Sequence, residues 1–345
     1  MRSASLQRYS QFASELVEFG PLYAIANFRI QSPLPLDPSG NWEFWNGQRP
    51  AWLESLARAY PPESKRKISL DAMLNRDHAS GIEAHYDVSN EFYALFLDTK
   101  YRFYTCAEFL SNQDTLEEAQ THKAEHIRSL LKLNGNENIL DLGCGWGAML
   151  KYLQDVGHQG ALTGFTLSKE QLAYDQQTLG LDVALTNFIT DPFEPDAYDR
   201  IFSIGAIEHV KPAELAALYQ KIYDALVPGG LAVHQFFSFG HEPYPASSVC
   251  LQLFFPGSLL VMHCKHLEAA KSAGFRITHD SIHDYKPTIR AWYDRLVENR
   301  KAAQALVGTE VYNRYMTFFP IAWLFFQQQE ADLHRVVMEK LDVER

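Results

Sequence analysis

The length, composition and charge of the chain narrow the classes of protein to which it can belong. Its 345 residues are enough for one large domain with an extension, or for two domains. With 42 acidic against 31 basic residues, the net charge of −11 argues against a nucleic-acid partner and against general attraction to anionic bilayers. The 4 cysteines form no Cys-x-x-Cys pair, which predicts a reducing compartment and no disulfide framework.

No segment of the sequence has the pattern of a targeting signal or a membrane span. Residues 1–10 are polar and lack the apolar stretch of a signal peptide. The most apolar late stretch, residues 318–326, is far shorter than the roughly 20 residues needed to cross a bilayer, and it contains Pro320. We therefore expect a cytoplasmic protein.

The first 80 residues have a composition of their own, with apolar runs, a Pro/Gly-rich stretch and three tryptophans. We expect residues 1–80 to form a helical N-terminal extension and residues 81–345 to form the main domain. The tryptophans are interpreted as packing against that domain, with a lipid-facing surface as the alternative; they are Trp42, Trp45 and Trp52.

From residue 139 onward, the apolar pattern alternates between strand and helix. The predicted strands lie near residues 139–142, 161–166, 182–188, 199–205, 231–237 and 275–283, and the helices near 147–156, 168–179, 213–227, 263–273 and 287–306. Because parallel strands need crossover helices, this order predicts an α/β domain with a mostly parallel, doubly wound sheet. Ligands of such sheets bind at the carboxyl ends of the strands, where the strand order reverses.

A glycine turn follows the first predicted strand. The sequence Asp141-Leu142-Gly143-Cys144-Gly145-Trp146-Gly147 places bare backbone where a ligand can approach closely. Dinucleotide-binding turns usually read Gly-x-Gly-x-x-Gly, with an acidic residue about 20 positions on. Here the third glycine comes one residue early, and the second predicted strand ends without a carboxylate. The turn therefore resembles the first motif of class I S-adenosylmethionine (SAM) methyltransferases.

Further segments resemble one branch of these enzymes. They are residues 85–93, Tyr104-Thr105-Cys106-Ala107, residues 203–209, His234 and Ala291-Trp292-Tyr293. In this order they resemble the cyclopropane fatty acid synthase family, which includes the mycolic acid cyclopropane synthases. The resemblance covers roughly residues 80–315 and implies a Rossmann-like SAM-dependent methyltransferase fold. The plant benzylisoquinoline N-methyltransferases share the architecture and are the nearest alternative.

The resemblance also implies roles for individual residues. Those implied to contact SAM are Tyr104, Thr105, Asp141, Gly143, Gly145, Thr166, Gln171, Asn187 and Phe188. Those implied to surround a bound bicarbonate, and so to assist deprotonation, are Glu208, His234, Tyr293 and Cys106. Each of the latter four also has a plain structural interpretation, as a surface carboxylate, a core histidine, helix packing or a small buried hydrophobe.

The resemblance implies transfer of a methyl or methylene carbon from SAM to the double bond of a lipid acyl chain, giving a cyclopropane or a methyl branch. The alternatives are methylation of a small amine or of a prenyl alkene, and SAM binding without catalysis. A homodimer and peripheral contact with a membrane are both compatible with the sequence. No metal site is expected, because the ligands of His263-Cys264-x-His266 point in different directions and no partner cluster is apparent.

Three departures from the family pattern concern the acceptor. Phe236 replaces an isoleucine two residues after His234, and Ser258-Leu259-Leu260-Val261-Met262 replaces a Leu-Pro-Ser step. The late helix carries bulky aromatics between Phe319 and Phe326 where small residues and an arginine are usual. These changes predict an acceptor channel that is narrowed or reshaped.

Overall fold

The computed structural model describes residues 89–240, 261–327 and 329–342. The predicted extension over residues 1–80, with its three tryptophans, lies outside the described residues. So do residues 85–88 of the motif before the first described helix, and residues 258–260 of the altered step.

The described chain forms a sheet of 7 strands in the order β3-β2-β1-β4-β5-β7-β6. Strands β1 to β5 pair in parallel, and β7 lies antiparallel between β5 and β6. The order reverses between β1 and β4, which is where a doubly wound sheet opens a crevice. The strands are β1 Ile139–Leu142, β2 Leu162–Thr166, β3 Asp182–Leu185, β4 Tyr198–Ile204, β5 Leu226–Phe239, β6 Arg276–His283 and β7 Ala331–Glu339.

Helices cover both faces of the sheet, which confirms the predicted fold class. They are α1 Asn90–Ala94, α2 Leu116–Leu130, α3 Ala148–Asp155, α4 Lys169–Tyr174, α5 Pro212–Ala225, α6 His263–Ser272, α7 Lys286–Glu298 and α8 Arg300–Gln327. None of the described helices is long and apolar enough to cross a membrane.

The apolar residues divide into two sheet-facing cores and one aromatic core. Helices α5 and α6 pack on one face of the sheet, and α2 and α3 on the other. Helices α1, α7 and α8 form a third cluster rich in Phe, Tyr and Trp rings. All four residues of β1 are buried, because this central strand is covered on both faces. The third cluster lies outside the predicted α/β core and builds one side of the site.

The structure corrects the sequence-based element boundaries in three places. The helix predicted over residues 287–306 is two helices, α7 and α8, and α8 is itself interrupted at Gly308, where φ is 78°. The strand predicted near residues 231–237 begins earlier, at Leu226, and Pro228-Gly229-Gly230 is an irregularity within β5, whose pairing with β4 jumps from Leu226 to Leu231. Strand β7 was not predicted; its burial is nearly continuous, because it lies between two other strands of the sheet.

Candidate active site

The glycine turn after β1 brings the chain into a conformation that side chains do not tolerate. Gly143 has φ +85° and Gly147 has φ +65°. A Cβ on Gly143 would lie 2.4 Å from the Cβ of Ala206, and one on Gly147 would lie 2.4 Å from Leu181. Because α3 begins directly after Gly147, the turn delivers the helix N-terminus to the crevice. Glycine is therefore required here for both torsion and space.

A cleft of about 1020 Å³, including its open mouth, lies at the carboxyl ends of β1, β2 and β4. It is the crevice expected where the strand order reverses. All nine residues predicted to contact SAM line this one cleft: Tyr104, Thr105, Asp141, Gly143, Gly145, Thr166, Gln171, Asn187 and Phe188. Residues that are far apart in sequence are thus brought together around a single space.

The polar wall of the cleft is held by local hydrogen bonds. Thr166 Oγ1 donates to Gln171 Oε1 at 2.8 Å, and the backbone N–H of Ser168 donates to Thr166 Oγ1 at 3.2 Å. Ser168 also caps α4 by accepting from the backbone N–H of Gln171. This network places a hydroxyl and an amide at the end of β2, where dinucleotide-binding folds place a carboxylate.

Asp141 is the one carboxylic acid among the described residues that line the cleft. It is buried, and its Oδ1 has no hydrogen-bond partner among the described residues. Burial, and after it the neighbouring Asp175 carboxylate, raise the pKa of Asp141 well above its ordinary range. A cation in the cleft would reverse that shift by favouring the ionised form. Asp141 is therefore suited to a positively charged ligand.

A second cavity, of about 740 Å³, adjoins the cleft and is lined mainly by aromatic rings. Nine of its 16 lining residues are Phe, Tyr or Trp, so the wall is apolar with polarisable faces. Among the described lining residues Glu208 is the only carboxylic acid, and none is Lys or Arg. The rings include Phe237, Phe239, Tyr285, Trp292, Phe319 and Phe325.

The two cavities share part of their walls. Tyr104, Thr105, Gly205 and His209 line both. A Cβ on Gly205, which has φ +74°, would lie 2.5 Å from Thr105 Cγ2, so the strand β4 end and this loop are in close contact. A ligand in the cleft and a ligand in the aromatic cavity would therefore meet across this partition.

The partition loop, residues 104–107, is anchored by buried polar side chains. Lys123 Nζ donates to Thr105 Oγ1 at 2.8 Å and lies 3.4 Å from the ring centroid of Phe103. Gln120 Nε2 donates to the carbonyl of Thr105 at 2.9 Å. The backbone N–H of Ala107 donates to Thr288 Oγ1 at 2.9 Å. The loop is thereby fixed to α2 on one side and to α7 on the other.

Glu208 lies in the 3-10 turn Ile207–His209 that follows β4. Its side chain is buried, and its Oε2 has no hydrogen-bond partner among the described residues. Burial raises the pKa of this carboxyl from its ordinary value of 4.5 to about 8. An unpaired buried carboxyl is costly for a fold, so its presence on a cavity wall indicates a functional group.

The other three residues predicted around bicarbonate are buried but are not among the residues lining either cavity. His234, in β5, faces α5: its Nδ1 lies 3.4 Å from the Tyr219 hydroxyl, and burial lowers its pKa to about 3. Tyr293 packs in the aromatic cluster of α1, α7 and α8. Cys106 Sγ donates to the Ala107 carbonyl, and burial raises the pKa of its thiol to about 12. Of the four predicted residues, only Glu208 lines one of these two cavities.

Two residues of the site were given no role in the sequence analysis. Tyr285, directly before α7, lines the aromatic cavity, whereas Tyr293, within α7, does not. Pro287 marks the start of α7, and this signal could have drawn attention to Tyr285. His209 lines both cavities, and its position beside Glu208 was the available signal.

The departures from the family pattern have different outcomes. Phe236 lines neither cavity; its ring centroid lies 4.3 Å from that of His266, on the face of the sheet covered by α6. The late helix does line the aromatic cavity, through Phe318, Phe319, Phe325 and Phe326. The bulky residues of α8 therefore shape this cavity, whereas Phe236 does not.

Comparisons with known proteins agree with this geometry. The family model of mycolic acid cyclopropane synthetase matches residues 74–336. A probable fatty acid methyltransferase from Pseudomonas putida is 30% identical over 280 residues, which cover 77% of this chain and 70% of that protein. A solved mycolic acid cyclopropane synthase, complexed with SAH and CTAB, is 29% identical with a TM-score of 0.69, covering 77% of this chain and 99% of that one.

A solved N-methyltransferase, from the alternative class considered above, also matches the structure. A coclaurine N-methyltransferase bound to N-methylheliamine and SAH has a TM-score of 0.71 over 93% of this chain and 99% of that one, at 16% identity. At that identity the similarity shows the fold alone. The family match covers most of the chain, and the predicted resemblance is confirmed. The chain belongs to the mycolic acid cyclopropane synthetase family and is a SAM-dependent methyltransferase.

Proposed function

We propose that this enzyme transfers a methyl or methylene carbon from SAM to the double bond of a lipid acyl chain. The observation that carries the proposal is the shared wall of two cavities, one built on the glycine turn and the other lined by aromatic rings. Relatives named for fatty acid and mycolic acid modification support a lipid acceptor. A solved relative complexed with CTAB, a surfactant with a long alkyl chain, points the same way.

The cleft residues fit SAM. The glycine turn leaves room for a ligand against bare backbone, and the Asp141 carboxyl lacks a partner that a cationic group could supply. Hydroxyl and amide groups also line the cleft, on Thr166, Gln171 and Asn187. When bound, SAM supplies a strongly electrophilic methyl group. The work of the chain is then to align that group with the acceptor, which lowers a barrier by about 7–11 kcal/mol in favourable cases.

The aromatic cavity suits an acceptor that becomes positively charged. Attack by an isolated alkene leaves a carbocation on the acyl chain, and water would trap it. The apolar wall excludes water, and ring faces such as those of Trp292 and Phe319 stabilise a nearby cation. No Lys or Arg among the described lining residues opposes that charge.

Glu208 is the group we propose to accept the proton that the carbocation loses. Its carboxyl lies on the cavity wall, and its Oε2 lacks a partner among the described residues. Proton loss from the new methyl group, with ring closure, gives a cyclopropane, and loss from a neighbouring carbon gives a methyl-branched alkene. Bicarbonate assistance by Glu208, His234, Tyr293 and Cys106 stays a prediction, because only Glu208 of the four lines this cavity, and no step is assigned to it.

The acidity of Glu208 predicts the pH dependence of the reaction. Because only the ionised carboxylate accepts a proton, kcat/KM for SAM is expected to rise with pH through about 8. A positive charge in the cleft favours the carboxylate, so the inflection in kcat should fall at a lower pH. Initial rates between about pH 6 and pH 9 measure both. A profile that is flat through this range would contradict the assignment.

A second candidate is methylation of a small amine, and the single carboxyl in the aromatic cavity is what favours it. Glu208 would pair with the protonated amine and then remove its proton. Incubation with methyl-labelled SAM and either unsaturated phospholipid or a panel of amines separates the two. Label in extracted acyl chains supports the lipid acceptor, whereas label only in amines overturns it. Label found in a prenyl alkene tested in parallel would support the same transfer chemistry with a different acceptor.

Filling the aromatic cavity should impair use of a long acceptor. Ala322 is the smallest α8 residue on the wall, and Ala322→Leu would place extra methyl groups in the space. Overpacking of about 1–3 kcal/mol corresponds to a fall of roughly 5- to 150-fold in kcat/KM for a long acyl acceptor. Calorimetric affinity for SAH should not change. The exposed Ala302→Leu on the same helix is the matched control, and an equal loss in both variants would contradict this assignment of the cavity.

A further inference from the structure

Three side chains from separate elements converge on the sheet face that α6 covers. His263 is the first residue of α6, Asp280 lies in β6, and His334 lies in β7. His334 Nδ1 is 3.1 Å from Asp280 Oδ1, and His263 Nε2 is 3.1 Å from Asp280 Oδ2. The two imidazole rings are stacked, with centroids 3.7 Å apart and planes 13° apart. One ligand atom of each residue lies within 4.8 Å of the others.

Hydrogen bonding does not account for the whole cluster. His263 Nε2 is buried, and among the described residues it has no aligned hydrogen-bond partner despite its closeness to Asp280. The exposed fractions of the side chains are 17% for His263, 30% for Asp280 and 10% for His334. Two imidazole nitrogens and a carboxylate oxygen thus lie within 4.8 Å of one another in a partly buried cluster.

We propose that His263, Asp280 and His334 bind a divalent transition-metal ion, with Zn²⁺ the best match. Two imidazoles and one carboxylate are a common protein ligand set for zinc and its first-row neighbours. Ligands at about 2.0–2.2 Å from a tetrahedral ion lie about 3.4 Å from one another. The two nitrogen–oxygen separations, each 3.1 Å and each to a different Asp280 oxygen, are close to this value. The stacked imidazole rings would tilt apart to direct both nitrogens at one ion.

The surroundings of the cluster favour a cation as its occupant. Asp332, two residues before His334, lies on the same face of β7 and acts electrostatically on His263. It adds negative charge beside the three ligands. His266 is directed elsewhere, with its Nδ1 3.2 Å from the Tyr219 hydroxyl. The adjacent Cys264 is exposed and is not part of the cluster.

The site lies across the sheet from the aromatic cavity. His334 pairs with Phe236 in the β5–β7 ladder, whereas the neighbouring Phe237 and Ala331 line the cavity on the opposite face. An ion here would tie the start of α6 to the two antiparallel strands at the sheet edge. It would contribute stability and would take no part in methyl transfer. The inference is thus independent of the proposed function.

The test uses the full chain after treatment with EDTA. Calorimetric titration with ZnCl₂ should give one bound ion per chain, and the thermal unfolding midpoint should rise with added Zn²⁺, because an ion that binds only the folded state stabilises it. Co²⁺ should bind at the same site, and its visible spectrum should show nitrogen and oxygen ligation. Asp280→Asn and His334→Gln should each weaken binding by at least tenfold and abolish the rise in the midpoint.

Matched variants separate this site from adventitious binding. His279→Gln removes a histidine from the same strand β6 whose Nε2 contacts Ser281 instead, and Cys264→Ser removes the neighbouring thiol. Both should bind Zn²⁺ as the wild type does. No binding by the wild type, or binding that survives Asp280→Asn and His334→Gln together, would overturn the proposal. We expect equal rates of methyl transfer with and without EDTA. Loss of methyl transfer in EDTA would contradict a purely structural role for the ion.

Discussion

Replacing Glu208 by glutamine is expected to lower kcat by about 10²–10⁴-fold, the usual contribution of a positioned acid or base. Glutamine keeps the size and shape of the side chain but cannot accept the proton. Because Glu208 lines the aromatic cavity and not the cleft, the dissociation constant for SAH should stay within about twofold of the wild type. Single-turnover assays and calorimetry measure the two quantities separately.

The same substitution should raise the stability of the fold. The pKa of Glu208 is about 8 in the folded chain against an ordinary 4.5. The folded state therefore holds a proton that the unfolded state has lost, and the free energy of unfolding falls as the pH rises from about 4.5 to about 8. Glu208→Gln removes this penalty, so its unfolding midpoint at pH 8 should exceed that of the wild type. Such an exchange of stability for activity is typical of functional groups.

Glu137→Gln is the matched control for this result. Glu137 is also a buried glutamate, but it accepts backbone N–H groups from Asn134, Gly135 and Asn136 and lies outside both cavities. Its substitution should lower stability and leave turnover in place. Wild-type turnover by Glu208→Gln, with normal SAH affinity, would remove Glu208 from the mechanism.

Replacing Gly143 by alanine should abolish tight binding of SAM. The new Cβ would lie 2.4 Å from the Cβ of Ala206, about 1 Å closer than ordinary contact, so the turn must move and carry its backbone with it. Gly143 lines the cleft, and a shift of that size removes the close approach of a ligand to the backbone. We expect the dissociation constant for SAH to rise by at least about tenfold, a loss of 1.4 kcal/mol or more.

Gly157→Ala controls for the backbone strain in that variant. Gly157 has φ +86°, nearly the torsion of Gly143, but a Cβ there would meet nothing within 4 Å. Both variants should lose about 1–2 kcal/mol of stability, because alanine is strained in the left-handed region. Only Gly143→Ala should lose affinity. If calorimetry gives the same SAH affinity for both, the glycine turn does not form the cofactor site.

The cleft could be predicted to a large extent from sequence, and the aromatic cavity only in part, through Glu208 and the aromatic residues of α8. The glycine turn, the end of β2 at Thr166 and the loop at Asn187 each follow a strand directly, and parallel strands bring their carboxyl ends to one edge. The aromatic cavity is built from β4, β5, α7, α8 and the 104–107 loop. Which rings in and just before α7 enter it depends on how that helix packs: Tyr285 and Trp292 line the cavity, and Tyr293 does not.

The sequence by itself determined the strand and turn order of the core, the need for glycine after β1 and the family to which the chain belongs. These follow from contacts between near neighbours and from steric limits on single residues. Only the tertiary structure decided that β7 inserts antiparallel between β5 and β6, that Glu208 lines an apolar cavity without His234, and that His263, Asp280 and His334 converge. Such juxtapositions depend on the register and packing of distant segments, which no local pattern encodes.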